Sequence, residues 1–191
     1  MLHVPGCQIF FMNSSLNFLR YAPLTDADQP QLISLMRRIY PPVYAYLWPD
    51  GGEWYVNSQY GEGNLRAELA DPRADYRFVL VDDRAVGIVR TVADQSSPDD
   101  PDRKAMKLHR LYLDPAYQGR GIGRQVMDDV VAGCQTQGIG YLWLEAMDSA
   151  EGSLAFYRRM GFEGGGHFTL DMPKMYPSCR GMWRMFRELA V

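Results

Sequence analysis

The chain has 191 residues, 47% of them apolar and 23% charged, and a formal net charge of −3. That size and balance fit one globular domain with a full core and exclude a disordered chain. The mildly acidic balance argues against nucleic acid as the main partner and leaves room for a cationic substrate, and no run of about 18 apolar residues offers a transmembrane helix or a membrane partner.

Residues 1–16 read as a loose extension, and 17–191 as a single domain. Val4 to Met12 is partly apolar but lacks a basic flank, and Met12 is an alternative start. Cys7, Cys134 and Cys179 form an odd, scattered set, which implies no disulfide framework and points to a reducing cytoplasm. His3, His109 and His167 are equally scattered, so no metal is expected.

Phe18 to Ala22 reads as a first strand. Thr25 is a good helix N-cap, with Asp26 and Asp28 in the first turn, and Leu32, Leu35, Met36 and Ile39 recur at helical spacing until Pro41-Pro42 ends the run. Tyr40 to Tyr60 is crowded with aromatics and broken by Pro49 and Gly51-Gly52. It reads either as short helices or a loop folded over something, or as aromatics packed on the sheet. Gly63 to Ala70 is one more short helix. Arg77 to Val81 and Ala85 to Ala93 form a hairpin around Asp82-Asp83-Arg84. Asp94 to Arg103, with two prolines, reads as a mobile loop.

The most informative stretch follows. A strand from Lys107 to Leu113 stops at Asp114-Pro115, a glycine-spaced loop comes next, and a helix begins at Gly121 with Ile122, Val126, Met127, Val130, Val131 and Cys134 on one face. Such a loop leaves backbone N–H groups free at the positive end of a helix dipole, which makes an anion site, and Arg120 and Arg124 add charge there. No Gly-Lys-Ser/Thr follows, so this is not a Walker loop. Arg124 or Val126 stands where a dinucleotide fingerprint needs its third glycine. Ile139 to Ala146 is a strand, Asp148 or Ser149 caps a helix to Met160, and Gly161 gives it a left-handed stop. Phe168 to Leu170 and Met182 to Arg187 are the last strands.

Gln118-Gly119-Arg120-Gly121-Ile122-Gly123 fits Gln/Arg-x-x-Gly-x-Gly/Ala, and Ala155-Phe156-Tyr157-Arg158-Arg159-Met160-Gly161-Phe162 follows a strand later. Together they resemble the acetyl-CoA loop and the downstream helix of the GCN5-related N-acetyltransferases, clearly over 107–170 and more loosely over 18–93 and 182–189. The resemblance implies an α/β (α+β) fold with a mixed, mostly antiparallel central sheet flanked by helices. Its parallel strand pair, before and after the glycine-loop helix, splays apart to admit the pantetheine arm. It also implies transfer of acetyl from acetyl-CoA, as co-substrate, to a primary amine of a small molecule or peptide in a ternary complex. A homodimer is compatible with it. Short stretches, Tyr141 to Ala146, Gly166 to Leu170 and Asn64 to Leu69, look like the bacterial spermidine/spermine acetyltransferase-like group.

By the same resemblance, acetyl-CoA contacts fall on Leu111, Tyr112, Leu113, Gln118, Gly119, Arg120, Gly121, Ile122, Gly123, Arg124, Ala150, Tyr157 and Arg159. The N–H of Leu113 would serve the thioester carbonyl, and Tyr157 would offer its proton to the leaving sulfur. Many members carry a base glutamate where Lys107 stands here, so the base is open between His109 and Glu145. His109 would share a strand face with Lys107 and Leu111, and an imidazole suits neutral pH; it is equally readable as a structural histidine. Ala150 replaces an asparagine that usually bonds the pantetheine arm. These departures motivate one rival, a non-catalytic acyl-CoA-binding or sensor domain; a second rival is a nucleotide-binding α/β domain.

Overall fold

A computed structural model describes residues 19–190. The expected extension over 1–16 and the start of the first strand at Phe18 lie outside the described residues. Seven strands form one sheet: β1 (Leu19–Pro23), β2 (Ala74–Val81), β3 (Arg84–Val92), β4 (Met106–Leu113), β5 (Tyr141–Met147), β6 (Glu163–Thr169) and β7 (Gly181–Glu188). Their order is β1-β2-β3-β4-β5-β7-β6. Every neighbouring pair is antiparallel except β4 and β5, which are parallel and pair only from Met106 with Leu142 to Leu108 with Leu144. Beyond Leu108 and Leu144 the two strands part, and the splayed gap required for a linear ligand opens there.

Helices cover both faces. On one lie α1 (Gln29–Ile39), α2 (Pro41–Tyr44), α3 (Glu53–Gln59) and α4 (Glu62–Leu69); on the other lie α5 (Ile122–Thr136) and α6 (Glu151–Arg159). The apolar stripe of α1 (Leu32, Leu35, Met36, Ile39) joins Val56, Leu65, Phe78 and Ile88 in one buried cluster. Ile122, Val126 and Met127 of α5 pack with Leu144, Met185 and Leu154 in a second. The Thr25 amide donates to the Asp28 carboxylate at 2.8 Å, and a short 3₁₀ turn (Asp26–Asp28) leads into α1. Pro41 does not only end α1. It opens α2 in the first turn, where the missing N–H has no helical partner to lose.

The β2–β3 turn is as tight as its sequence suggests, with Asp82 and Asp83 both left-handed, as a two-residue primed turn requires. Gly87 on β3 faces the backbone of β4, and a Cβ there would run into the Tyr112 carbonyl. Gly87→Ala should therefore push β4 aside and destabilise the protein by about 2 kcal/mol or more in chemical denaturation.

Three expectations are corrected. The segment 94–103 is tied down. Asp99 accepts from the Gly166 amide (2.7 Å) and from Arg184 (2.8 Å), and Trp143 donates to the Gln95 carbonyl (2.7 Å). β6 begins at Glu163, five residues before the expected Phe168. Its glycines conceal it, and they are there for space: a Cβ on Gly165 or Gly166 would lie 2.7 or 2.6 Å from the Asp99 carboxylate. Neither Asp148 nor Ser149 caps α6. Ala150 is the N-cap, while Asp148 turns to His167 (3.0 Å) and Ser149 to Tyr46 (2.9 Å).

Candidate active site

β4 ends at Leu113, and Asp114 makes the turn that follows by accepting from the Ala116 amide at 2.9 Å. Gly119 and Gly121 then adopt left-handed φ of 76° and 79°, and Gly121 is the N-cap of α5 with no side-chain cap. The first N–H groups of α5 are thus left open. A Cβ on Gly119 or Gly121 would meet no protein atom within 4 Å, so the loop faces open space. Gly123 differs: its Cβ would stand 3.4 Å from Leu113 and Phe156, and it serves close packing of α5 on β4 and α6.

The loop opens into a cleft of about 1100 Å³ that runs along the end of β4, Leu111 to Leu113, to α6. Every residue assigned to acetyl-CoA from the sequence lines this cleft except Arg120, whose guanidinium lies over the Tyr117 ring, 4.8 Å from its centroid. The Asp114 amide donates to the Val86 carbonyl on β3 (2.7 Å). Backbone donors alternate along an antiparallel strand, so the N–H groups of Leu113 and Leu111 turn away from β3 into the gap. Tyr157, partly buried on α6, lines the cleft, and burial pushes its phenol well above the ordinary tyrosine value, with nearby Tyr44 adding to the shift.

Sequence reasoning missed the opposite wall. Tyr44 and Tyr46 reach the cleft from the aromatic segment and share hydrogen bonds with Ser153 (3.3 Å) and Ser149 (2.9 Å) at the start of α6. The rest of that segment packs. Tyr40, Trp48 and Tyr60 are buried, Tyr40 stacks on Tyr55 with centroids 4.6 Å apart, and Trp48 donates to the Tyr40 hydroxyl at 2.8 Å. The segment thus divides: Tyr44 and Tyr46 line the cleft, while Tyr40, Trp48 and Tyr60 pack. No local signal marks Tyr44 or Tyr46, because their serine partners lie more than a hundred residues away.

Neither of the two base candidates lines the cleft. His109 is the extra residue of a β-bulge: Arg90 pairs with Arg110, Thr91 with Leu108, and His109 has no partner on β3. The bulge breaks the expected alternation. Leu111 packs with the α5/α6 core, while His109 turns toward Arg90 and Glu68 on the other face. Arg90 donates to His109 Nδ1 at 2.6 Å. Burial, and then the cations of Arg110, Arg90 and Lys107, push the imidazole down to about 3. Glu145 is the first β5 residue past the last pairing with β4. Its carboxylate accepts from Lys107 at 2.7 Å and lies 3.7 Å from Arg184. Among the described residues no group of three or more His, Cys, Asp or Glu side chains could hold a metal ion, and no helix is long and apolar enough to cross a membrane.

Open helix-end donors suit an anionic head, and a gap between parting strands suits a thin arm with amides along it. A ligand with both has the shape of an acyl-CoA, which makes the class that of an acyl transferase. The chain belongs to the acetyltransferase (GNAT) family, whose model matches residues 33–162, and it is an acetyl-CoA-dependent N-acetyltransferase. It is 31% identical over 139 residues to the ribosomal protein bS18 alanine N-acetyltransferase of Salmonella typhimurium, covering 73% of this chain and 77% of that one. It is 22% identical over 144 residues to an uncharacterized N-acetyltransferase of Lactobacillus delbrueckii subsp. lactis, covering 75% and 83%. Among solved structures, the PaiA N-acetyltransferase of Thermoplasma acidophilum in complex with coenzyme A shares the fold, with a TM-score of 0.67, 18% identity and coverage of 90% and 99%.

Proposed function

We propose that this enzyme passes acetyl from acetyl-CoA to a primary amine by direct attack in a ternary complex. The observation that carries the reading is the single cleft joining the open N-terminus of α5, the end of β4 past its pairing with β5, and Tyr157. The pyrophosphate sits on the loop donors, and the pantetheine arm pairs with β4 in the gap. The N–H of Leu113 meets the thioester oxygen as it gains charge. A phenol held protonated well past neutral pH offers Tyr157's O–H to the departing sulfur as a hydrogen bond, without having to give the proton up.

The base is Glu145. A neutral imidazole has one acceptor nitrogen, and that of His109 is taken by Arg90, in a setting where a fourth cation is opposed by Arg90, Arg110 and Lys107. Glu145 stands where β4 and β5 stop pairing, and its carboxylate takes the ammonium proton directly or through a water.

The acceptor class is tested by a thiol-release screen across polyamines, aminoglycosides, amino acids and peptides with free N-termini, the last suggested by the Salmonella relative's action on an alanine. CoA binding without release for any amine would favour the non-catalytic binding domain. Within the same assay, Tyr157→Phe should lower kcat about 10²-fold with little change in KM for acetyl-CoA. A loss of stability with kcat intact would make Tyr157 a packing residue.

A further inference from the structure

Glu145 is held from two sides by cations that are not equivalent. Arg184 is fixed: it donates to Asp99 at 2.8 Å, and its guanidinium lies over the Phe168 ring, 4.4 Å from the centroid. Lys107 has no second ionic partner among the described residues. Its ammonium rests between the Glu145 carboxylate (2.7 Å) and the Trp143 ring (4.5 Å from the centroid), at the end of a four-carbon stem.

A carboxylate on one side and an indole face on the other make a seat for a primary alkylammonium. The seat lies where β4 and β5 stop pairing, and with Glu145 as base it is where an acceptor amine loses its proton. We propose that Lys107 is an internal ligand of the acceptor site: its ammonium occupies the position on Glu145 that the acceptor's ammonium takes, and the acceptor must displace it. The inference rests on the assignment of Glu145 as base.

Two consequences follow from the geometry. With Lys107 seated, one Glu145 oxygen is engaged by a cation that is never the substrate, so the enzyme rests with its base covered. An incoming amine succeeds when it can follow the path of the lysine stem. The favoured acceptor end is therefore an unbranched primary alkylamine, ahead of aryl or secondary amines. The affinity measured for any acceptor is reduced by the fraction of enzyme in which Lys107 still holds the seat.

The test vacates the seat and offers a small replacement, n-propylamine. Lys107→Ala should release thiol from acetyl-CoA in the presence of n-propylamine about tenfold faster than wild type, or more. n-Propylammonium should also raise the Tm of Lys107→Ala, and should fail to do so in the Lys107→Ala, Glu145→Gln double variant. Lys107→Met removes the charge but fills the space, so it should show little of either effect. If n-propylamine neither stabilises Lys107→Ala nor speeds its thiol release, the inference is overturned. The base assignment fails separately, if Glu145→Gln leaves turnover of the screened acceptor intact. Stabilisation by n-propylammonium that persists in the double variant would also overturn the inference, because binding would then not be at Glu145.

Discussion

Gly121→Val should abolish CoA binding, with a loss of at least about 100-fold by calorimetry, while the far-ultraviolet circular dichroism stays that of the wild type. Gly121 holds φ at 79° as the N-cap of α5, a conformation that a β-branched residue adopts only under strain of about 1–3 kcal/mol. Relaxing that strain would swing the first N–H groups of α5 away from their common focus. If the backbone instead stays put, the valine methyls occupy the space over those donors, since a Cβ at this position meets no protein atom. Both routes remove the anion site and neither touches the core. Gly123→Val is a different experiment. There the added side chain presses on Leu113 and Phe156, so stability should fall together with binding. Undiminished CoA affinity in folded Gly121→Val would remove the central assignment of the cleft.

The parts of the fold that could be read from the sequence are those whose physics is local. The β4–loop–α5 unit announces itself because the turn, the left-handed glycines and the apolar stripe lie within thirty residues. Gly161 is legible for the same reason, with a left-handed φ of 83° at the end of α6. What stayed hidden depends on partners distant in the chain. β6 is written in glycines, which have low strand preference, and only the Asp99 carboxylate lodged against them explains their presence. The loop 94–103 has the composition of a mobile segment, and its ties to Gly166 and Arg184 cannot be read from composition. In the site, the loop residues were legible as a motif, but the Tyr44 and Tyr46 wall and the Lys107–Glu145 pair are cross-chain contacts. His109 shows the limit most plainly. Strict alternation put it on one face with Leu111, and one extra residue in the strand separated them.

Glu145→Gln should lower kcat by about 10²- to 10⁴-fold and erase the acidic limb of the rate profile, whereas His109→Gln should keep that limb. The rate rises with pH wherever a base must lose its proton before it can work, so the limb belongs to whichever group accepts the ammonium proton. Glutamine keeps the shape of Glu145 and can still accept a hydrogen bond from Lys107, but it cannot take a proton. His109 should reveal itself in stability instead. Its folded value, pushed down to about 3 from an ordinary 6.5, means that the unfolded chain binds a proton that the native state refuses. Acidification through that window therefore favours unfolding: wild-type stability should fall as pH drops from about 6.5 toward 3, and His109→Gln should flatten that part of the curve in pH-dependent denaturation. If the limb instead vanishes in His109→Gln and persists in Glu145→Gln, the histidine is the base and its bond to Arg90 must break during turnover. If it persists in both variants, the amine arrives already neutral, and the enzyme gains its rate by holding the amine nitrogen against the thioester carbon.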